Sequence, residues 1–318
     1  MKKTTLLLTL SLLVFVFSCK DEDTFTNQTG IYSSNDFFMI QEGVSSAEMA
    51  ISNIVHIIEL AIDEEEVFYS NGITYPVITK EKLDPNQISD YPMILNLDFG
   101  EDTIQGYDNR YRAGKITANI SAYWKDSLSL IEADIQNYYM ATHTPNYIDG
   151  IKKEYISSCG ANLRLKIRNE GLTKKLENIY YPTQFISTDS AHFSTSLGDI
   201  IVSSQRYTFY YSGYDTPEYG DDKTHILLES GGRAYDKKNN NWDWTSGMLG
   251  SSDEGLNYFS YNRNCFWLVS GNFKLKYKNL KTDREYVNII DFGKMDQTNC
   301  DNIASYSTNG LSIVFNLP

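Results

Sequence analysis

Two consecutive runs of alternating residues restrict this chain more than anything else in it. Between Gly114 and Trp124 apolar and polar side chains alternate over most of the length, and Leu128 to Tyr138 repeats the pattern after a turn at 125–127. A period of two places successive side chains on opposite faces of an extended strand, whereas a helix needs a period near 3.6. The two runs therefore predict a long β-hairpin. Asn162 to Arg168 is a third such strand, closed by Asn169-Glu170-Gly171.

Further short apolar runs read the same way: 75–79, 92–98, 184–188, 200–211, 224–229, 256–261 and 311–317, with a hairpin over 266–292 about a turn at 279–284. Tyr 24, Phe 15 and Trp 4 are abundant, and aromatic residues favour strands. Short strands with Gly and Asn punctuation predict a mainly β protein built of one or two β-sandwich units. The stretch from Gly213 to Gly250 is polar and rich in Gly and Asn, with Glu218, Asp221 and Asp222 close together, and is expected to form surface loops.

One segment departs from this period. Val44, Ile51, Ile54, Val55, Ile58 and Ile62 follow helical spacing, and Ser45-Ser46-Ala47-Glu48 matches a capping box. The spacing predicts an N-terminal α-helix over about 46–63. The acidic run Asp63 to Glu66 at its end, and His56 on its surface, are expected to be solvated or packed rather than ligating.

A unit recurs in the two halves. Asp98-Phe99-Gly100 is followed by Asp108-Asn109, and Asp291-Phe292-Gly293 by Asp301-Asn302 at the same interval, each after a strand-like run. The repeat suggests two related β units. No Gly-rich loop, strand Lys or His-Arg-Asp loop accompanies it, so it is not a kinase signature. The Asp turns the chain, the Phe enters the core and the Gly takes a conformation closed to other residues. The alternative is a calcium cup from Asp98, Asp102 and Asp108, or from Asp291, Asp296 and Asp301, since Ca²⁺ takes several hard oxygen ligands.

The N-terminus carries an address. Lys2-Lys3, an apolar stretch from Leu6 to Phe17, and Ser18-Cys19 form a secretory signal whose end resembles a bacterial lipobox, with Cys19 as the lipidated residue. The following Lys20-Asp21-Glu22-Asp23 resembles the acidic tag of surface lipoproteins of the Bacteroides group. Cys159, Cys265 and Cys300 remain. Reflection through the 279–284 turn brings Cys265 near Cys300, so the pair reads as a disulfide or as two buried thiols, with Cys159 left over. A formal charge of −13 without a basic cluster excludes nucleic acid as partner.

Met93 to Gly100, with Asp108-Asn109-Arg110 and Arg112 to Ile116, is similar to a motif of uncharacterised Bacteroides-type surface lipoproteins. Cys265 to Gly271, Asp291 to Gly293, Cys300 to Asn302 and Asn309-Gly310 extend the similarity over residues 92–318. Asn109 departs from the Gly usual there, as does the loop 101–107. The resemblance implies location and architecture, and no catalytic residues.

Trp242 and Trp244 alternate in an extended segment, so both indoles share a face. That suits a platform for sugar rings, or two anchors in a core. No Gly-x-Ser-x-Gly elbow or His-Glu-x-x-His occurs, so no catalytic residue is assigned. Asp102-Thr103-Ile104, Asp126-Ser127-Leu128 and Asp189-Ser190-Ala191 resemble bacterial O-glycosylation acceptors and are expected in turns.

The chain thus divides into a signal peptide (1–18), a lipidated tether (19–34), a helical segment (35–70) and two β units (71–190 and 191–318). The expected function is binding or adhesion at the cell surface, with lipid on Cys19 anchoring the protein to the outer membrane and a glycan or an outer-membrane protein as partner. No cofactor is required, with calcium as the alternative. A hydrolase of surface polysaccharides and a structural partner of an outer-membrane complex are the competing readings.

Overall fold

The structure, a computed structural model, describes residues 24–27, 30–63, 68–70, 73–106, 108, 110–148, 151–176, 179–195, 198–216, 223–236, 241–248, 259–262, 268–292, 303–308 and 311–316. Two short strands, β1 (Thr24–Asn27) and β2 (Gly30–Ser33), pair with each other and lead into a single long helix, α1 (Ser34–Asp63). The small hairpin β3 (Tyr69–Ser70) and β4 (Ile73–Thr74) follows. Sixteen strands then form one antiparallel sheet: β5 (Val77–Lys82), β6 (Met93–Asp98), β7 (Ile104–Gln105), β8 (Tyr111–Ile120), β9 (Leu130–Ile148), β10 (Ile151–Leu176), β11 (Ile179–Thr195), β12 (Gly198–Ser212), β13 (Lys223–Asp236), β14 (Asn241–Met248), β15 (Phe259–Asn262), β16 (Leu268–Ser270), β17 (Asn272–Asn279), β18 (Arg284–Asp291), β19 (Ile303–Thr308) and β20 (Leu311–Asn316).

The protein is mainly β with an N-terminal helix, as its periodicities require. Both Asp-Phe-Gly copies lie in the same sheet, whose neighbours follow chain order almost throughout, from β5 at one end to β20 at the other. Where one or two sandwich units were expected, all sixteen of these strands hydrogen-bond into one large antiparallel sheet. The hairpins read from alternation are present: Ile120 pairs with Ile131 across the 121–129 turn, and Asn279 with Arg284 across 280–283. The expectation of loops over 213–250 is corrected, because β13 and β14 fill most of it. Most of their outward residues, Glu229, Arg233, Asp243 and Thr245 among them, are polar, and polarity on one face of a two-faced strand had the look of a loop.

The helix is the second correction. It begins at Ser34, so Ser45 and Glu48 are interior residues and form no capping box. Every residue from Ile40 to Ala61 is buried. A helix covered on all sides inside a β protein must be wrapped by its sheet, and the partners of its polar groups come from strands far apart. Gln41 donates to the Tyr277 hydroxyl on β17, Glu48 meets Arg206 on β12, Asn53 meets Arg112 on β8 and Tyr138 on β9, and Glu59 accepts from Gln184 on β11. By length and composition Ile40–Asp63 would suffice to cross a membrane, but here it forms the core. Ile40, Val44, Ile51, Ile54 and Ile58 pack against Leu95, Leu97, Ile116, Leu163, Phe193 and Val202.

The polar groups on this helix form a stripe. Gln41, Ser45, Glu48, Ser52, His56, Glu59 and Asp63 recur at intervals of three or four, so they line one side of α1. Arg206 donates to Glu48 Oε2 at 2.6 Å and to Ser52 Oγ at 2.6 Å, and Trp124 Nε1 donates to Asp63 at 2.8 Å. Burial pushes the Glu48 carboxyl up against the lowering influence of Arg206, and pushes the Arg206 guanidinium down. Desolvation and mutual attraction are thus opposed in this pair.

The Asp-Phe-Gly copies are structural clasps. Asp98 Oδ1 accepts the Gly100 N–H at 2.8 Å, Phe99 is buried, and Gly100 has φ +76°. Phe99 N–H donates to the Gly114 carbonyl at 2.8 Å, and Phe292 N–H donates to the Gly271 carbonyl at the same distance. Both acceptor glycines have positive φ, +93° and +106°. In each copy, therefore, a buried Phe ends a strand on the carbonyl of a left-handed glycine. Gly114 follows the first copy in the chain, whereas Gly271 precedes the second.

Candidate binding face

The face of the sheet turned away from α1 carries the groups that remain available to a ligand. Outward residues in the middle of the sheet line up across strands. Ser203 on β12 pairs with Gly231 on β13, Gly231 with Thr245 on β14, and Thr245 with Lys276 on β17. Two residues along, Gln205 pairs with Glu229, Glu229 with Gly247, and Gly247 with Lys274. A glycine sits in each row, so side chains are missing where neighbouring rows carry them. The result is an open recess of about 560 Å³, with Gly231 in its floor and Asp189, Gln205, Glu229, Lys274 and Lys276 at its sides. A Cβ on Gly231 would lie 3.1 Å from the Trp244 carbonyl and 3.4 Å from Thr245 Cγ2, so the floor is as low as the backbone allows.

A bulge supplies one wall. Between the pairs Thr188–Ser204 and Ala191–Val202, β11 has two residues, Asp189 and Ser190, against the single Ser203. Ser190 takes φ +54° and its N–H donates to Ser203 Oγ at 3.4 Å. A bulge of this kind re-aims side chains, and here it sets Asp189 on the rim. The same bulge borders a second recess of about 820 Å³ over β8 to β11. Apart from the shared Asp189, its charged groups are already engaged: Lys166 with Glu132 at 3.4 Å and Arg164 with Asp134 at 3.8 Å, while Gln136 donates to Asp134 at 2.8 Å. In the first recess Asp189, Glu229, Lys274 and Lys276 make no ion pair or side-chain hydrogen bond among the described residues. The next lysine along β17, Lys278, is instead held by Asp283 at 2.6 Å, which raises its pKa.

Beside the recess lies an aromatic row. Phe185 pairs with Tyr207 and Tyr207 with Leu227, two residues along their strands from Ser187, Gln205 and Glu229, or about 7 Å. The Phe185 and Tyr207 rings are 5.0 Å apart, Phe209 backs Tyr207 at 6.4 Å, and the Arg168 guanidinium lies 5.7 Å from the Phe185 ring. Phe185, Tyr207 and Leu227 are half-buried, so part of each faces solvent. Sequence reasoning passed over these residues. Their outward parity in β11, β12 and β13 was the available signal, but it could be read only once the inner face was known.

The residues singled out from sequence take other positions. Trp242 and Trp244 share a face, as alternation demands, and it is the inner one. Each is 2% exposed, and Trp242 packs on Tyr277 and Tyr286 at 5.8 and 6.2 Å. In this structure they are core anchors rather than a surface platform. Their indole Nε1 atoms are buried without an acceptor among the described residues.

Asp98 and Asp102 are exposed, while Asp108 faces inward between two guanidiniums, with Arg112 at 2.5 Å and Arg110 at 3.2 Å. Burial alone would raise the Asp108 carboxyl, but Arg112 and Arg110 outweigh it and hold it well below the usual carboxylate range. Asp98 and Asp108 are thus spent on a turn and on an ion-pair cluster. Among the described residues no group of three or more His, Cys, Asp or Glu side chains is placed to hold a metal ion. Asp291 is exposed at the end of β18.

Cys159 is a buried free thiol, pushed up by desolvation to about 12. Asp126-Ser127-Leu128 lies in a turn, whereas Asp189-Ser190-Ala191 lies in the β11 bulge, not a turn. Cys19, Lys20 to Asp23, Glu64 to Glu66, Asn109, Glu218, Asp221, Asp222, Cys265, Cys300, Gly293, Asp296, Asp301 and Asn302 lie outside the described residues.

Compared with known proteins, the chain matches no family model, no curated protein and no solved structure. Its function is therefore argued from the geometry of this face.

Proposed function

We propose that this chain is a lipid-anchored binding protein of the bacterial outer membrane, displayed at the cell surface and recognising a glycan on the outward face of its sheet. One observation carries the reading: unpaired carboxylate, amide and ammonium groups line a recess whose long side is bordered by half-buried aromatics. Sugars present hydroxyl edges and apolar ring faces, and a surface with hydrogen-bonding groups beside an aromatic shelf meets both. The opposite face cannot serve, since α1 fills it. The anchor reading rests on the sequence from Lys2 to Asp23, with the lipid on Cys19.

Two measurements test the parts separately. Cells fed an alkynyl fatty acid should label the wild-type protein and not Cys19→Ala, which should move from the membrane to the soluble fraction. An unlabelled wild-type protein would remove the anchor. For binding, the full-length protein in detergent should be retarded in gels containing one or more polysaccharides of a broad panel, and Tyr207→Ala should reduce that retardation. Wild-type mobility unchanged by every polysaccharide would remove the glycan.

A further inference from the structure

We infer that the Gly231 recess selects an anionic oligosaccharide, one bearing carboxylate or sulfate groups, with Lys274 and Lys276 as its charge contacts. The inference rests on the glycan-binding reading above and adds the ligand's charge and the residues that read it.

The first step is the identity of the unpaired groups. Lysines are scarce in this chain relative to acids, 28 Lys and Arg against 41 Asp and Glu. A free lysine on such a surface would ordinarily find a carboxylate. Arg164, Lys166, Arg233 and Lys278, all outward, have done so. Lys274 and Lys276, both on β17 and both pointing to the recess, have not. Residues at i and i+2 share a face, so the two ammonium groups form one short cationic edge.

The second step is the opposite wall. Asp189 and Glu229 are unpaired acceptors, and Gln205 and Ser203 supply both donor and acceptor capacity. Carboxylates repel a second anion but accept hydrogen bonds from neutral hydroxyls. A ligand that fits both walls carries negative charge at one side and hydroxyl groups at the other, which describes an acidic sugar chain. From β11 to β17 the recess crosses four strand spacings, about 19 Å, long enough for an oligosaccharide rather than a single ring.

An acidic peptide fits less well. Peptides are commonly held by strand addition at a sheet edge, and β12, β13 and β14 have neighbours on both sides. Asp189 and Glu229 would also oppose its charge along the whole length. Recognition by exposed lysines is sensitive to screening, so affinity for the glycan falls as salt rises.

The test uses the full-length protein in detergent, with affinity electrophoresis against polygalacturonate, chondroitin sulfate and a neutral β-glucan, and polyglutamate as the peptide competitor. The expected result is retardation by one or both acidic polysaccharides at least tenfold stronger than by the glucan. Lys274→Gln/Lys276→Gln should lose at least tenfold, and rising salt should weaken the wild type. Lys80→Gln/Lys82→Gln on β5 changes net charge equally and should bind as wild type. Retardation by polygalacturonate but not chondroitin sulfate, or the reverse, assigns the anion.

Equal binding of neutral and acidic polysaccharides, with the recess lysine pair unaffected, overturns the inference and leaves the glycan-binding reading standing. Binding of polyglutamate as tight as that of the acidic glycans overturns it in favour of a peptide. No retardation by either acidic polysaccharide overturns the inference, and the broad panel above decides the glycan reading separately. Gly231→Val supplies a second variant that fills the floor: assayed at a temperature where circular dichroism shows it folded, it should lose binding, and retained binding would place the ligand elsewhere.

Discussion

A buried charge is held in place here by groups remote in sequence. Glu48 and Arg206 are 158 residues apart and bond at 2.6 Å with almost no solvent contact. Removing one partner leaves an uncompensated charge, which costs about 3–5 kcal/mol, whereas replacing both by apolar groups of similar volume is near neutral or stabilising. Urea unfolding of Arg206→Met should show a loss of that order, and Glu48→Leu/Arg206→Met should recover most of it. A double variant as unstable as the single would show that shape at this point matters more than charge.

Glu42 offers a second residue-scale check. Burial raises its pKa to about 7 from 4.5. The folded state therefore binds this proton more tightly than the unfolded chain. Its contribution is fully present below about pH 4.5 and is lost as pH rises through 7, on the order of 3 kcal/mol in total. Glu42→Gln should remove that loss, so the stability gap between variant and wild type should widen in the variant's favour from pH 4.5 to 7.5. A gap constant with pH would mean the carboxyl is solvated. Asp108 has the opposite sign: its depressed pKa stabilises the fold above the ordinary carboxylate range. Asp108→Asn should be destabilising at neutral pH, with the deficit shrinking as pH falls below about 4.

Among the elements, the clasp between β6 and β8 shows how one glycine can be replaced and another cannot. Gly100 and Gly114 both have positive φ, but a Cβ on Gly100 meets nothing within 4 Å, whereas one on Gly114 would lie 2.3 Å from the Asn137 carbonyl oxygen. Gly100→Ala should cost about 1 kcal/mol from backbone strain alone. Gly114→Ala adds a clash with a backbone that cannot yield, and should cost about 3 kcal/mol or more. Thermal unfolding distinguishes them, and equal losses would mean that β9 shifts at its bulge. The helix illustrates the same dependence on neighbours. Its stripe of Gln41, Glu48, Ser52 and Glu59 would be the wet side of an amphipathic helix in isolation, yet each of these four side chains has at least one hydrogen-bond partner on the surrounding strands.

At the scale of the whole molecule, a single sheet with one face sealed by a helix leaves the other face to carry any recognition. Among the described residues its two ends, β5 and β20, have no further neighbour in the strand order, and Lys80, Glu81 and Lys82 place charge on the first of them, as edge strands commonly do. Alternation in 114–138, the helical spacing of 44–62 and the excess of aromatics were enough to determine a mainly β protein with one N-terminal helix. The local turn chemistry of Asp98-Phe99-Gly100 was legible for the same reason, since it depends on neighbours in the chain. A period of two separates two faces without saying which turns inward. That choice fell to tertiary structure: it put Trp242 and Trp244 in the core and left Phe185 and Tyr207 outside. It also let the helix start twelve residues before the expected position, because a sheet closing around it could satisfy polar groups that in water would have ended it. The recess was decided in the same way, since Asp189, Glu229 and Lys276 come together only through the register of strands that the sequence does not spell out.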